Sequence, residues 1–177
     1  MTAAIDVRIE LEDLRASAAA LAALRVELGD GGARRVESVS GWSVDEHLYH
    51  LCLATDLALR NVQSLARAKG GLITSEGGPN ALALQVLSEG VYPRGESEAP
   101  RMVRPPDTID SALLDQEVEL LGQAFERVPL DRVPGAPGRI PHQHLGELCA
   151  AEWLRFARLH ARHHLAIVRD VAAELGP

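Results

Sequence analysis

Two histidines, His160 and His164, stand four residues apart in a stretch whose apolar row reads Trp153, Phe156 or Ala157, Ile167, Val171 and Leu175. On a helix this spacing stacks both imidazoles on one face, about 6 Å apart, close enough for the two rings to bind one ion. Neutral imidazole suits first-row divalent cations, but two rings rarely hold one tightly, so the chemistry asks for a third donor from another element. His47 and His50 are the candidates. Helical spacing does not choose between them: His47 aligns with Leu51, Ala54 and Ala58, while His50 lies at the edge of that row with Ala54 and Leu57. Three nitrogen ligands leave one to three positions on the ion for water or substrate, which is the pattern of a catalytic site and not of a closed structural one. The ion could be zinc, nickel, iron or manganese, because imidazole discriminates poorly among them.

Other reactive side chains have plainer explanations. His163 could orient a ligand or carry a proton, but a hydrogen-bonding or surface role accounts for it better, and the unused member of the His47/His50 pair has the same status. Asp45 and Glu46 fall where a helix begins and Asp56 falls on its solvated side, so no carboxylate is marked as an acid or base. The string Glu46-His47-Leu48-Tyr49-His50 is not a zincin motif, which places Glu directly after the first of two histidines four apart. Cys52, two residues beyond His50, faces away from it and reads as a core residue. Trp42 and Trp153 each begin an apolar stripe and read as packing residues.

The elements that must position these groups are helices. Alanine and leucine dominate and aromatics are only 3% of the chain, which favours helix over sheet. A first helix is predicted from near Leu11 to just before Gly29. The alternating Ile5, Val7, Ile9 ahead of it has no partner strand and reads as an extended lead-in or an early helical turn. Ser43 and Glu46 form a capping box for a second helix running to about Ala68, ended by Gly70 and Gly71. Residues 71–106 are rich in glycine and proline and read as a long connection, with two helical turns around Ala81 to Leu87. Pro105, Pro106, Asp107 and Thr108 mark the start of a third helix with the stripe Leu114, Val118, Leu121, Phe125 and Val128, stopped by Pro129. Residues 129–146 are again irregular. The last helix runs from about Cys149 to Leu175, closed by Gly176 and Pro177, with Glu152, Arg155, Arg158, Arg162 and Arg169 on the side opposite the histidines. The expectation is an all-α protein: one domain over residues 1–177, a four-helix bundle with long crossover connections.

The chain has 177 residues and a formal charge of −7, which leaves no basic face for a phosphate backbone and argues against nucleic acid as a partner. Two cysteines, Cys52 and Cys149, make no disulfide framework and point to a reducing compartment. No basic leader precedes an apolar run, and the Ala18 to Leu24 stretch is far too short to span a bilayer, so a cytoplasmic location without membrane contact is expected.

Gly41-Trp42-Ser43-Val44-Asp45-Glu46-His47-Leu48-Tyr49-His50-Leu51 resembles the second-helix signature of the DinB/YfiT-like family, in which a ligand histidine follows the Trp by eight residues. Glu152-Trp153-Leu154-Arg155-Phe156, followed by His160-Ala161-Arg162-His163-His164, resembles the family's C-terminal helix, where the first and last histidines of His-x-x-His-His bind metal. His142 to Gly146 resembles the loop before that helix, although His144-Leu145 stands where the family often has His-Pro. The resemblance implies a four-helix bundle holding one divalent metal ion on His50, His160 and His164. It further implies a metal-dependent enzyme, a thiol transferase or hydrolase that activates a low-molecular-weight thiol or water against a small-molecule substrate. A non-catalytic metal-binding or stress-related interaction protein, and a metal-free bundle with hydrogen-bonded histidines, are the alternatives. Such bundles often bury a further apolar face as a homodimer, although the sequence marks no such face.

Overall fold

The computed structural model of the chain describes residues 5–92, 94 and 98–176. Five α-helices and one small hairpin, with three short 3-10 turns, make up the regular structure of the described residues: α1 (Val7–Leu28), α2 (Val44–Ala66), α3 (Ala81–Glu89), α4 (Ser111–Glu126), β1 (Ile140–His142), β2 (Gly146–Leu148) and α5 (Ala150–Leu175). The all-α expectation holds. Helix α5 packs along both α1 and α2, and α2 also packs against α4, so the two helices that carry the histidines lie side by side in the middle of the bundle. Their shared core is aliphatic, with Leu51, Leu59, Val62 and Leu65 of α2 and Leu154, Ala161, Val168 and Val171 of α5 all buried.

The stretch ahead of Leu11 is helical. Asp6 caps α1, its carboxylate accepting the Arg8 and Ile9 N–H groups, and the buried row then runs Val7, Glu10, Leu11, Leu14, Ala18 and Leu21. Ile9, the residue that suggested alternation, points to solvent. The capping box of α2 forms as the sequence implies: Ser43 Oγ accepts the Glu46 N–H and Glu46 Oε2 accepts the Ser43 N–H. The helix ends at Ala66, a turn before Gly70, with Ala68 in the left-handed region at φ 49°.

Two expectations need correction, and the structure adds a feature of α5. Helix α4 begins at Ser111 and not at Pro105 to Thr108, because Asp110 supplies the cap, its carboxylate accepting the Leu113 N–H at 2.7 Å. Residues 129–146 are not wholly irregular, since Ile140 to His142 pair antiparallel with Gly146 to Leu148, Ile140 facing Leu148 and His142 facing Gly146. The side of α5 opposite the histidines is partly covered by α1. Arg155 and Arg158 are folded against α1, where both hold the carboxylate of Glu10, a side chain only 4% exposed. Helix α5 is covered on two sides, so its basic residues need a buried counter-charge. Of the expected C-terminal stop, Gly176 forms the cap and Pro177 lies outside the described residues.

Candidate metal centre

The first turns of α2 and the middle of α5 bring His50, His160 and His164 together. One ligand nitrogen from each lies within 4.8 Å of the others. The nitrogens are all Nε2: His160 Nε2 is 3.3 Å from His50 Nε2 and 3.1 Å from His164 Nε2. Nitrogens bound at about 2.0–2.1 Å to one tetrahedral ion sit a little over 3 Å apart, so these two separations suit a shared cation. His50 and His164 are buried, whereas His160 is partly open.

Backbone and side-chain partners orient the rings. His50 Nδ1 donates to the Val103 carbonyl at 2.8 Å, because a carbonyl only accepts; in the neutral ring the lone pair is therefore on Nε2, facing the cluster. His164 Nδ1 lies 2.9 Å from His47 Nδ1, and His47 Nε2 lies 2.9 Å from Ser40 Oγ. His47, which helical spacing left level with His50, is thus behind His164 and outside the cluster. His163 Nδ1 donates to the Tyr92 carbonyl at 3.1 Å. Trp42 lies over the histidines, its ring centroid 5.0 Å from that of His50 and 6.4 Å from that of His164, stacked on the latter. The expected packing role fits Trp153, which is buried in the core, but both Trp42 and Trp153 also border open space.

Burial holds these imidazoles neutral, the form that binds metal. It pushes His160 and His164 well below the ordinary histidine range, assisted by the repulsion a protonated ring would feel from its neighbours. His47 falls to about 4 for the same reasons. His50 is also lowered by burial, against the opposing effect of its bond to the Val103 carbonyl. The other reactive groups are otherwise engaged. Cys52 is buried with its thiol pushed up to about 12, chiefly by burial. Asp45 pairs with Arg25, Glu46 with Arg35 and Ser43, and Asp56 with Arg60.

The cluster forms part of the wall of a cavity of about 760 Å³, within the size range of small-molecule sites. Both long connections contribute to it, through Leu72, Tyr92, residues 98–100 and residues 102–104 on one side and Ile140 to Gln143 on the other. Two of its polar residues gave no usable signal in the sequence. Ser40 lies outside any helix, and His142 belongs to a strand too short to show periodicity; only its place before the last helix hinted at it.

The profile of the DinB superfamily matches residues 13–168, and the chain belongs to that superfamily. No curated protein and no solved structure matches it. Among the described residues, no helix is long and apolar enough to cross a membrane.

Proposed function

We propose that the chain is a metal-dependent enzyme of the thiol transferase or hydrolase type, with one divalent ion on His50, His160 and His164. The observation that carries this reading is the meeting of three neutral imidazole nitrogens at the wall of a ligand-sized cavity. Hydrogen bonding alone serves them badly. The His50 proton is committed to Val103, so in a metal-free cluster His160 Nε2 either shares one N–H between two acceptors or accepts from His164 Nε2–H and leaves the His50 Nε2 lone pair without a donor from the cluster. A cation satisfies all three lone pairs. When bound, such an ion supplies a Lewis acid that lowers the pKa of a thiol or water. The chain contributes the neutral donor set, the hydrogen bonds that aim it and an apolar cavity that limits water around a small electrophile. In the transfer reaction the sulfur electron pair forms the new bond to carbon, the leaving group departs with its own pair, and the thiol proton passes to water.

A non-catalytic role, with the ion tying α2 to α5, draws support from the commitment of Asp45, Glu46 and Asp56 to ion pairs, which leaves none of them as a base. Metal analysis of protein purified without an affinity tag should find about one equivalent, lost in His50→Ala and His160→Ala. Metal-loaded protein should then accelerate conjugation of cysteine or glutathione to 1-chloro-2,4-dinitrobenzene, or hydrolysis of p-nitrophenyl acetate. Metal without either activity favours the non-catalytic role, and protein that takes up no metal defeats both.

A further inference from the structure

Six of the seven histidines of the chain line the one cavity, and five of them belong to the cluster or to the hydrogen bonds around it. His142 is the sixth. It ends β1, and its ring is set by neighbours on α5: the His142 centroid is 4.5 Å from that of Phe156, edge to face, and 5.2 Å from that of Trp153. Trp153 also fixes the strand itself, its indole N–H donating to the Ile140 carbonyl at 3.2 Å. The far strand is seated equally firmly. Gly146, opposite His142, has φ +76° and packs so tightly that an added Cβ would fall 2.5 Å from the Gly78 carbonyl oxygen. The hairpin is therefore a rigid mount for one imidazole.

The proton on that imidazole is also assigned. The His144 backbone N–H donates to His142 Nδ1 at 3.2 Å, so Nδ1 bears the lone pair and a neutral ring carries its hydrogen on Nε2. Burial, with a smaller effect from His144, pushes this group down to about 4, so the ring stays neutral at ordinary pH. The nitrogen left for the cavity is a donor, the opposite of His50, whose free nitrogen is an acceptor.

The rest of the wall defines what that donor meets. The chain has only six aromatic residues of the Phe, Trp and Tyr types, and four of them, Trp42, Tyr92, Trp153 and Phe156, line this cavity. Leu72 and Met102, both largely exposed, extend the apolar surface at its mouth. Among the described residues the only formal charges in the lining are Glu98 and Arg104, which neutralise each other across 2.7 Å. In the metal-free protein no unpaired charge among the described lining residues remains to hold a carboxylate, phosphate or ammonium group, whereas aromatic walls suit a flat apolar body.

We infer that His142 Nε2–H is the fixed hydrogen-bond donor of the cavity, and that it orients toward the three-histidine cluster an uncharged, largely aromatic molecule bearing an acceptor oxygen, such as an aryl ketone or aldehyde. As a statement about substrate it rests on the proposed function; as a statement about binding it needs no metal. Nitrogen-15 NMR of histidine-labelled protein, without metal, should show His142 protonated at Nε2. Acetophenone should perturb that resonance and bind more tightly than either ethylbenzene, which lacks the oxygen, or charged benzoate. His142→Phe should weaken acetophenone roughly fivefold, the usual worth of one hydrogen bond, and leave ethylbenzene unchanged, while His142→Gln, which keeps a donor, recovers part of the loss. An Nδ1-protonated ring in the unaltered protein, or equal acetophenone affinity with and without the His142 side chain, overturns the inference. Protein that takes up no metal yet binds acetophenone in this His142-dependent way defeats the proposed function and leaves the inference standing.

Discussion

At the scale of single residues, the arrangement around His164 makes a claim about an atom that never touches the ion. If His164 binds through Nε2, its Nδ1–H points at His47 Nδ1, and the His47 Nε2–H then points at Ser40 Oγ. Partners of this kind fix a ligand ring, and their loss typically lowers metal affinity tenfold to a hundredfold. His47→Ala should show a loss of about that size in a zinc competition titration; an unchanged affinity would reduce His47 to packing. The neutral rings also set an acid limit. His47 and His142 titrate near 4 when folded and near 6.5 when not. In that window the unfolded chain binds more protons, so stability present above pH 6.5 is lost as pH falls toward 4. Thermal melts of metal-free protein should fall across this range, and less steeply in His142→Gln. The pair on α5 was legible in the sequence because i and i+4 must share a face. The choice of His50 over His47 was not legible from spacing, since residues three apart are also neighbours, and the angle at which α5 crosses α2 decides which ring meets it.

At the scale of elements, the site depends on where α2 begins, because His47 and His50 both fall within two turns of its start. The box between Ser43 and Glu46, with Glu46 gripped in turn by Arg35, fixes that start. Ser43→Ala should remove about 1 kcal/mol of stability, measured by urea unfolding, as for other serine caps. This signal stood plainly in the sequence. The start of α4 did not, because Asp107 and Asp110 are both competent caps and only the packing of Leu114, Leu121 and Phe125 selects the later one. The hairpin was hidden for another reason. Strands of three residues carry almost no period, and what holds them is distant in the chain: Arg139 bridges to Thr74, and the Glu147 N–H donates to the Gly78 carbonyl at 3.1 Å.

At the scale of the whole molecule, α5 is sandwiched, and its two faces are bonded by different chemistry. Toward α2 it offers imidazoles and aliphatic groups, and toward α1 two arginines that share Glu10. Removing one partner from such a buried set leaves uncompensated charge. Glu10→Ala should therefore cost about 3 kcal/mol or more in chemical denaturation, well beyond an exposed ion pair such as Arg60–Asp56. The bundle class followed from composition and helical stripes, but this internal ion pairing did not, since the spacing of Arg155 and Arg158 does not show that α1 lies over them.

The bond from His50 to the Val103 carbonyl spans two tasks. A carbonyl holds only the ring form protonated at Nδ1, and a cation on Nε2 selects that same form. Cation capture and seating of the Arg101–Val103 turn are therefore reciprocal: each favours the other by an equal free energy. Treatment with a chelator should speed hydrogen exchange at the Val103 amide, and tethering that turn by design should slow the escape of the ion.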